Sequence, residues 1–466
     1  MLSEPLSHVA AWLVPLLVAL PVAAFVAILL PPLFGRAKSE AWTYGLVRIG
    51  VVGATLLALC LAVALLTGIE VPRTVDAGRW FAVGHDVFEV RFGLDGLGLA
   101  YGSFSLLLVA LAAAFSRRYL HREQGFHRFY ALLVLFAAGL ALVCFAGSLD
   151  MLLIGWELVG ISSTLLIAFF NQRPNPVRNA LRAFVTYRAC DVGLVLAIVC
   201  LHVGWGDADF VRDPDGGWLV LPYREGAALG VLAAGALVFA AMGKSAQVPF
   251  SGWLPRAMEG PTPSSAIFYG ALSVHLGPFL LLRCCELVQS EPWLAATLVV
   301  IGLATAGHGA LVGRVQTDIK SMLAYGSVTQ VGLIMAEVGL GLHLLALLHI
   351  IGHAGYRTLQ ILRAPSLLHD RHHLEQMLGH HVSHAADLDS DGHRWLAAPA
   401  MYRHALERGG LDALLADRFV GALLGALRRF DRCEQRCASA FARAVLRRLP
   451  RRRARAGDAV EKAHVS

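Results

Sequence analysis

The chain has 466 residues, 56% hydrophobic and only 16% charged, with a formal net charge of +7. Soluble domains carry about 25% charged residues. Here the shortfall lies in roughly the first 365 residues, where apolar runs of about 20 recur, long enough to cross a hydrocarbon core of roughly 30 Å, so an ordinary set of soluble domains is excluded. The eight cysteines form no CxxC pair and no Cys/His finger, which argues against a disulfide framework or a zinc site, and the basic excess sits in loops and tail, where membrane orientation accounts for it better than nucleic acid.

In chain order, the apolar runs predict an all-α polytopic membrane protein with about eleven spans: 9–32, 43–67, 96–115, 128–147, 150–170, 178–203, 227–247, 264–286, 293–313, 318–339 and 341–363. The first is not a secretory signal, because its positive charges, Arg36 and Lys38, follow the apolar run instead of preceding it. Those charges place the first short loop in the cytoplasm. Alternation then puts Arg117, Arg118, Arg122, Arg173, Arg178, Arg256 and Arg314 inside, and fewer arginines outside. The expected topology has an external N-terminus and a cytoplasmic C-terminus, in a bacterial inner membrane. The outer loop 68–95 alternates apolar and polar residues around Phe88-Glu89-Val90-Arg91-Phe92, which predicts a short β-hairpin.

Beyond about residue 364 the character changes. Residues 366–404 are rich in His and Asp, residues 409–448 repeat leucines at helical spacing and predict an amphipathic helix, and 448–455 form an arginine-rich tail. The expected organisation is N-terminal helices and hairpin over 1–127, a first repeat over 128–290, a partial second repeat over 291–364 and a cytoplasmic tail over 365–466.

Ionisable side chains inside a membrane are costly and mark pathways for ions or protons. Glu157 sits in the fifth span, within Trp156-Glu157-Leu158-Val159-Gly160. Arg188 and Asp191 are three apart on the sixth and can pair on one helix face. Lys244 precedes Pro249 and Pro255, which break the seventh helix; such a break is tolerated where protein or water satisfies the freed backbone. Lysine is rare here, with four among forty basic residues, and two of the four, Lys244 and Lys320, lie in or beside apolar segments. A buried lysine titrates readily whereas arginine does not. His275 falls in the eighth span, Lys320 opens the tenth after Asp318, and His349, His353 and Arg357 follow at one-turn intervals on the eleventh. Each group also has a structural reading. Glu157 fits a salt bridge with Lys244, Asp191 one with Arg188, and the two histidines fit satisfied core residues better than a metal pair. As a set, acids, lysines and histidines on separate helices suit stepwise proton transfer.

The motifs Trp156-Glu157-Leu158-Val159-Gly160, Gly243-Lys244-Ser245-Ala246-Gln247 with Trp253, Gly260-Pro261-Thr262-Pro263 and Thr317-Asp318-Ile319-Lys320 with Gln330 resemble the proton-pumping antiporter-like subunits: subunit L, or chain 5, of complex I, and the large subunits of Mrp-type antiporters. The resemblance runs from about residue 88 to 363. It implies an inverted-repeat core with broken helices, no bound cofactor or metal, and other membrane subunits as partners. It assigns Glu157 and Lys244 as the central proton-transfer pair, Asp191 as a modulator, and Lys320, His349 and His353 as onward relays. It also shows departures. Tyr269 stands where the family usually has histidine, with His275 six residues on as a substitute, and Arg357 stands where it usually has lysine. The second repeat reads as truncated. Two other readings follow: a proton channel that energises a large zinc-containing, carbonic-anhydrase-like partner in inorganic carbon uptake, and a non-conducting structural subunit.

Overall fold

The computed structural model describes residues 3–36, 38–69, 71–83, 86–212, 217–224, 228–378 and 399–411, with residues 429, 432, 434 and 435. The chain forms two compact units, Met1–Gly409 and Gly410–Ser466. Only the first is substantially described, and the amphipathic and arginine-rich stretches expected over 409–455 lie almost entirely outside the described residues.

Within the first unit, α1 (Ser3–Leu33) and α2 (Glu40–Leu66) lead to the expected hairpin, β1 (Thr74–Val83) paired antiparallel with β2 (Asp86–Gly93). Then come α3 (Gly96–Tyr119), α4 (Phe126–Cys144), α5 (Leu149–Ile167), α6 (Pro174–Trp205), α7 (Ala228–Lys244), α8 (Thr262–Arg283), α9 (Pro292–Gly313), α10 (Ile319–Gly339) and α11 (His343–Leu378), with the short α12 (Pro399–Leu406). Eight of the described helices are long and apolar enough to cross a membrane. Of the other three expected spans, α7 is apolar but has 17 residues, while α10 and α11 fall outside the apolar set because Lys320, Gln330 and Glu337 dilute the one and histidines and arginines the other. The eleventh helix also overruns its expected end. It continues unbroken from 363 to Leu378, past the loss of apolar character, because helix geometry needs no apolar face once a chain leaves the hydrocarbon.

Helix ends follow local chemistry. Asp95, Ser148 and Asp318 cap α3, α5 and α10, each accepting a hydrogen bond from the backbone N–H three residues on. Neighbouring helices pack in antiparallel pairs, α4 on α5, α6 on α7 and α9 on α10. The α4–α5 contact depends on Gly139 and Gly155, where an added Cβ at either would press within 2.9 Å of the other helix's backbone.

Two helices are irregular, and in one of them the break falls where Pro249 and Pro255 predict it. After Lys244 the chain leaves the α7 helix and crosses 245–252 in turns before resuming at Trp253–Arg256. The freed polar groups find partners in protein: Trp253 Nε1 donates to Gly243 O (3.1 Å), and Val248 N donates to Thr305 Oγ1 on α9 (3.0 Å). Helix α8 widens into a π-type segment at Ser265–Leu272 and tightens at Ser273–His275, and Tyr101 on α3 donates to the Leu272 carbonyl (3.0 Å). All of α8 is buried, so it forms the axis around which the other helices pack.

At the hairpin end, Arg91 pairs with Asp76 (2.6 Å), Glu89 (2.8 Å) and Asp209. Beneath it lies a fully buried clamp. Arg283 at the end of α8 grips Asp95 (2.7 and 2.9 Å), the Leu219 carbonyl and the Cys144 carbonyl, while Leu219 N donates to Asp95. Every oxygen of that carboxylate is engaged, the condition under which a buried ion pair is tolerated.

Candidate functional site

Two polar clusters lie inside the helical body. The first joins α5, α6 and α7. On α5, Gly160 lies one turn beyond Trp156 and so shares its face. A Cβ at Gly160 would come within 3.1 Å of Lys244 Nζ and 3.4 Å of Arg188 Nη2, so the glycine opens the space that both cations occupy. Lys244, the last residue of α7, is fully buried; its Nζ donates to the Trp156 carbonyl (2.9 Å) and lies 4.8 Å and 4.7 Å from the ring centroids of Trp156 and Tyr187. A cation held against two aromatic faces and a carbonyl is solvated by the protein itself.

Arg188 on α6 reaches two carboxylates. One nitrogen pairs with Glu157 on α5, and Nη2 donates to Asp191 Oδ2 (2.7 Å). The other oxygen of Asp191 accepts from Trp156 Nε1 (2.5 Å). Asp191 is buried, whereas the Glu157 side chain keeps 26% of its surface. The geometry therefore corrects one expectation. Glu157 and Lys244 make no direct ion pair; Arg188 takes the glutamate, and Trp156 links the other two groups by presenting its carbonyl to Lys244 and its indole N–H to Asp191. With all four groups ionised, two cations face two anions and the formal charges cancel. Arginine holds its proton in proteins. The protons that can move are therefore those of Lys244, Glu157 and Asp191.

The second cluster joins α8, α10 and α11. His275 Nδ1 meets the Ala271 carbonyl, its Nε2 lies 3.0 Å from His353 Nδ1, and Arg357 Nε donates to His353 Nε2 (3.4 Å). A carbonyl only accepts and a guanidinium only donates, so the hydrogen-bond direction is fixed along the chain. His275 donates from Nδ1 and accepts at Nε2; His353 donates from Nδ1 and accepts at Nε2. Each ring carries one proton. Arg357 fits because of two glycines: a Cβ at Gly326 would lie 2.8 Å from Nη2, and one at Gly270 would lie 3.2 Å from Cγ. His349, one turn before His353, turns instead to α10, with Nδ1 2.8 Å from Glu337 Oε1 and Nε2 3.0 Å from Gln330 Oε1.

Between the two clusters lie polar groups on the broken segments. Tyr187, whose ring covers Lys244, interacts through its hydroxyl with Ser273, two residues before His275, short of full hydrogen-bond geometry. Ser245 Oγ, Gln247 Oε1 and Ser251 Oγ are likewise buried without a standard partner. Buried polar groups of this kind are ordinarily satisfied by internal water. Tyr269 is not part of this series; its hydroxyl donates to the Ser163 carbonyl on α5.

The structure thus brings Glu157, Asp191 and Lys244 into one site, with Arg188, and places His353 with His275 in a second, with His349 beside it. Lys320 stands apart, at the first turn of α10, and makes no hydrogen bond or ion pair among the described residues. The sequence reading did not single out Trp156 as a bridge, Glu337 as the partner of His349, or the Asp95–Arg283 clamp. Glu337, Asp95 and Arg283 could have been found as charges within or beside apolar runs; the double role of Trp156 has no sequence signal.

Broken helices around a fully buried central helix, with acid, lysine and histidine side chains from five helices converging on it, define a polytopic membrane protein of the ion-translocating class. A family model described as NADH:quinone oxidoreductase/Mrp antiporter, transmembrane, matches residues 146–381, just over half of the chain. The chain belongs to this family. It is 33% identical over 386 residues to the chloroplastic NAD(P)H-quinone oxidoreductase subunit 5 of Piper cenocladum, covering 79% of this chain and 50% of that protein. It is 33% identical over 313 residues to NAD(P)H-quinone oxidoreductase chain 5 of Synechocystis, covering 66% and 45%. Among solved structures, a chain of the Mrp complex from Dietzia superposes with a TM-score of 0.63 at 28% identity, covering 75% of this chain and 37% of that one. The chain spans about half the length of the curated relatives it matches.

Proposed function

We propose that this chain is a proton-conducting membrane subunit of a multisubunit ion-translocating assembly, related in role to subunit 5 of the quinone oxidoreductases. It sits in a bacterial inner membrane with its N-terminus outside and its C-terminus cytoplasmic, as the loop arginines favour. The observation that carries the reading is the neutral quartet of Glu157, Arg188, Asp191 and Lys244, drawn from three helices, with Lys244 and Asp191 buried and Glu157 and Arg188 partly open. A proton arriving on either carboxylate cancels one anion and leaves Arg188 bound to the other. Lys244 then faces less negative charge and more readily releases its own proton. The Tyr187–Ser273 contact and the polar break beyond α7 lead from Lys244 toward His275 and His353. Those rings pass a proton by accepting on one nitrogen and releasing from the other. Lys320, in this reading, serves at the mouth of α10.

The test is proton uptake by proteoliposomes holding the complete assembly. Glu157→Gln and Lys244→Ala should abolish most of the flux while leaving assembly intact, and His275→Phe should slow it. Wild-type flux in both Glu157→Gln and Lys244→Ala would overturn the reading. Proteins that co-purify with the chain decide its partners, between quinone oxidoreductase subunits and a zinc-containing, carbonic-anhydrase-like protein.

A further inference from the structure

A groove of about 670 Å³ opens between α1, the start of α2, α4 and α5. Its wall is apolar, built from Phe25, Leu29, Leu132, Leu135 and Leu165 among others, and its mouth is basic, with Arg36, Lys38 and Arg128 beside Trp42. Leu29 and Leu165 are 42% and 49% exposed. Arg36 and Lys38 are exposed and make no ion pair among the described residues; Lys38 Nζ only rests 5.4 Å from the Trp42 ring. The carboxylate nearest to them in sequence, Glu40, is already committed to His121 and to Arg122 N.

We infer that this groove is a binding site for an anionic phospholipid, its acyl chain along α1 and α4 and its phosphate on Arg36 and Lys38. The dimensions agree. From His127 at the mouth to Leu135 at the inner end, α4 rises about 12 Å at 1.5 Å per residue. That is most of one leaflet of a hydrocarbon core roughly 30 Å thick. The order of chemistry along the groove agrees as well: cations and an indole at the helix ends, where headgroups lie, then apolar side chains, Phe25 among the leucines. A soluble anion would have no use for the apolar length, and a zwitterionic lipid would leave the basic mouth uncompensated. The inference is independent of proton conduction.

Native mass spectrometry of the purified, delipidated full chain, titrated with phosphatidylglycerol or with phosphatidylcholine of identical acyl chains, tests it. Two basic residues at the membrane surface are worth on the order of 30-fold in affinity for an anionic headgroup. Wild type should show about that preference. Arg36→Gln/Lys38→Gln, at two exposed positions, should bring the two lipids close to parity without weakening phosphatidylcholine. Leu29→Trp, which fills the groove and leaves the charges, should weaken both. Equal retention of the two lipids by wild type, or a preference that survives the double substitution, would overturn the inference. So would unchanged lipid binding in Leu29→Trp. Displacement of phosphatidylglycerol by equimolar glycerol phosphate would reveal a free-anion site instead. A preference present in the isolated chain and absent from the intact assembly would show that a partner's helix occupies the groove.

Discussion

Replacing Arg188 with Gln removes the side chain that holds both carboxylates of the first cluster. Its bond to Asp191, whose side chain is 4% exposed, is a charge-assisted hydrogen bond in a protein interior, worth about 1.5–3 kcal/mol. Its bond to Glu157 is discounted, because the Arg188 and Glu157 side chains keep 35% and 26% of their surface, and such pairs contribute about 0–1 kcal/mol. The loss is therefore about 1.5–4 kcal/mol, a factor of roughly 10–1,000 in any equilibrium that depends on the site's charge. With one cation gone, Lys244 alone faces two carboxylates, and the quartet regains neutrality by binding one more proton. Arg188→Gln should slow proton uptake by proteoliposomes of the assembly about 10- to 1,000-fold and move the acid limb of its pH profile upward. Arg188→Lys keeps the charge without the fork and should fall between the two. Wild-type flux and an unmoved pH profile in Arg188→Gln would refute the argument that Arg188 sets the charge of this site.

Gly160→Ala should impair transport with little loss of stability, because the new methyl crowds the tips of Lys244 and Arg188, at 3.1 and 3.4 Å, and otherwise meets Tyr187 Cδ2 at an ordinary 3.9 Å; flux and melting temperature measured together separate the two effects. Asp95→Ala strands Arg283 in a fully buried position and should destabilise the chain by about 3–5 kcal/mol, read as a large fall in melting temperature, whereas the double change Asp95→Leu/Arg283→Met should recover much of it. At the hairpin, burial raises the Asp209 carboxyl above its ordinary value of 3.8, with Arg91 pulling the other way. The native state then binds that proton more tightly than the unfolded state, so the contribution of Asp209 is greatest below the unfolded value and declines as pH climbs through the raised one. Hydrogen exchange of β1 and β2 should show that slope, and Asp209→Asn should remove it.

The sequence by itself determined the membrane setting, the order of the helices, the outer hairpin and the break after Lys244; the widening of α8 came only with the structure. Each of the former is written in neighbours: an apolar run of sufficient length, an alternation around Phe88, a proline that denies a backbone hydrogen bond. The Arg188–Asp191 contact was legible for the same reason, since three residues along a helix is one face. Tertiary structure alone decided who meets whom across helices. Glu157 goes to Arg188 instead of Lys244, because Trp156 and Gly160 shape a pocket in which the lysine finds a carbonyl and two rings. His353 turns to His275, 78 residues away in sequence, while His349, one turn earlier on the same helix, turns to Glu337. Helical periodicity says which side chains share a face. It carries no information on which distant helix that face will meet, and in a low-dielectric interior that meeting sets where each proton rests.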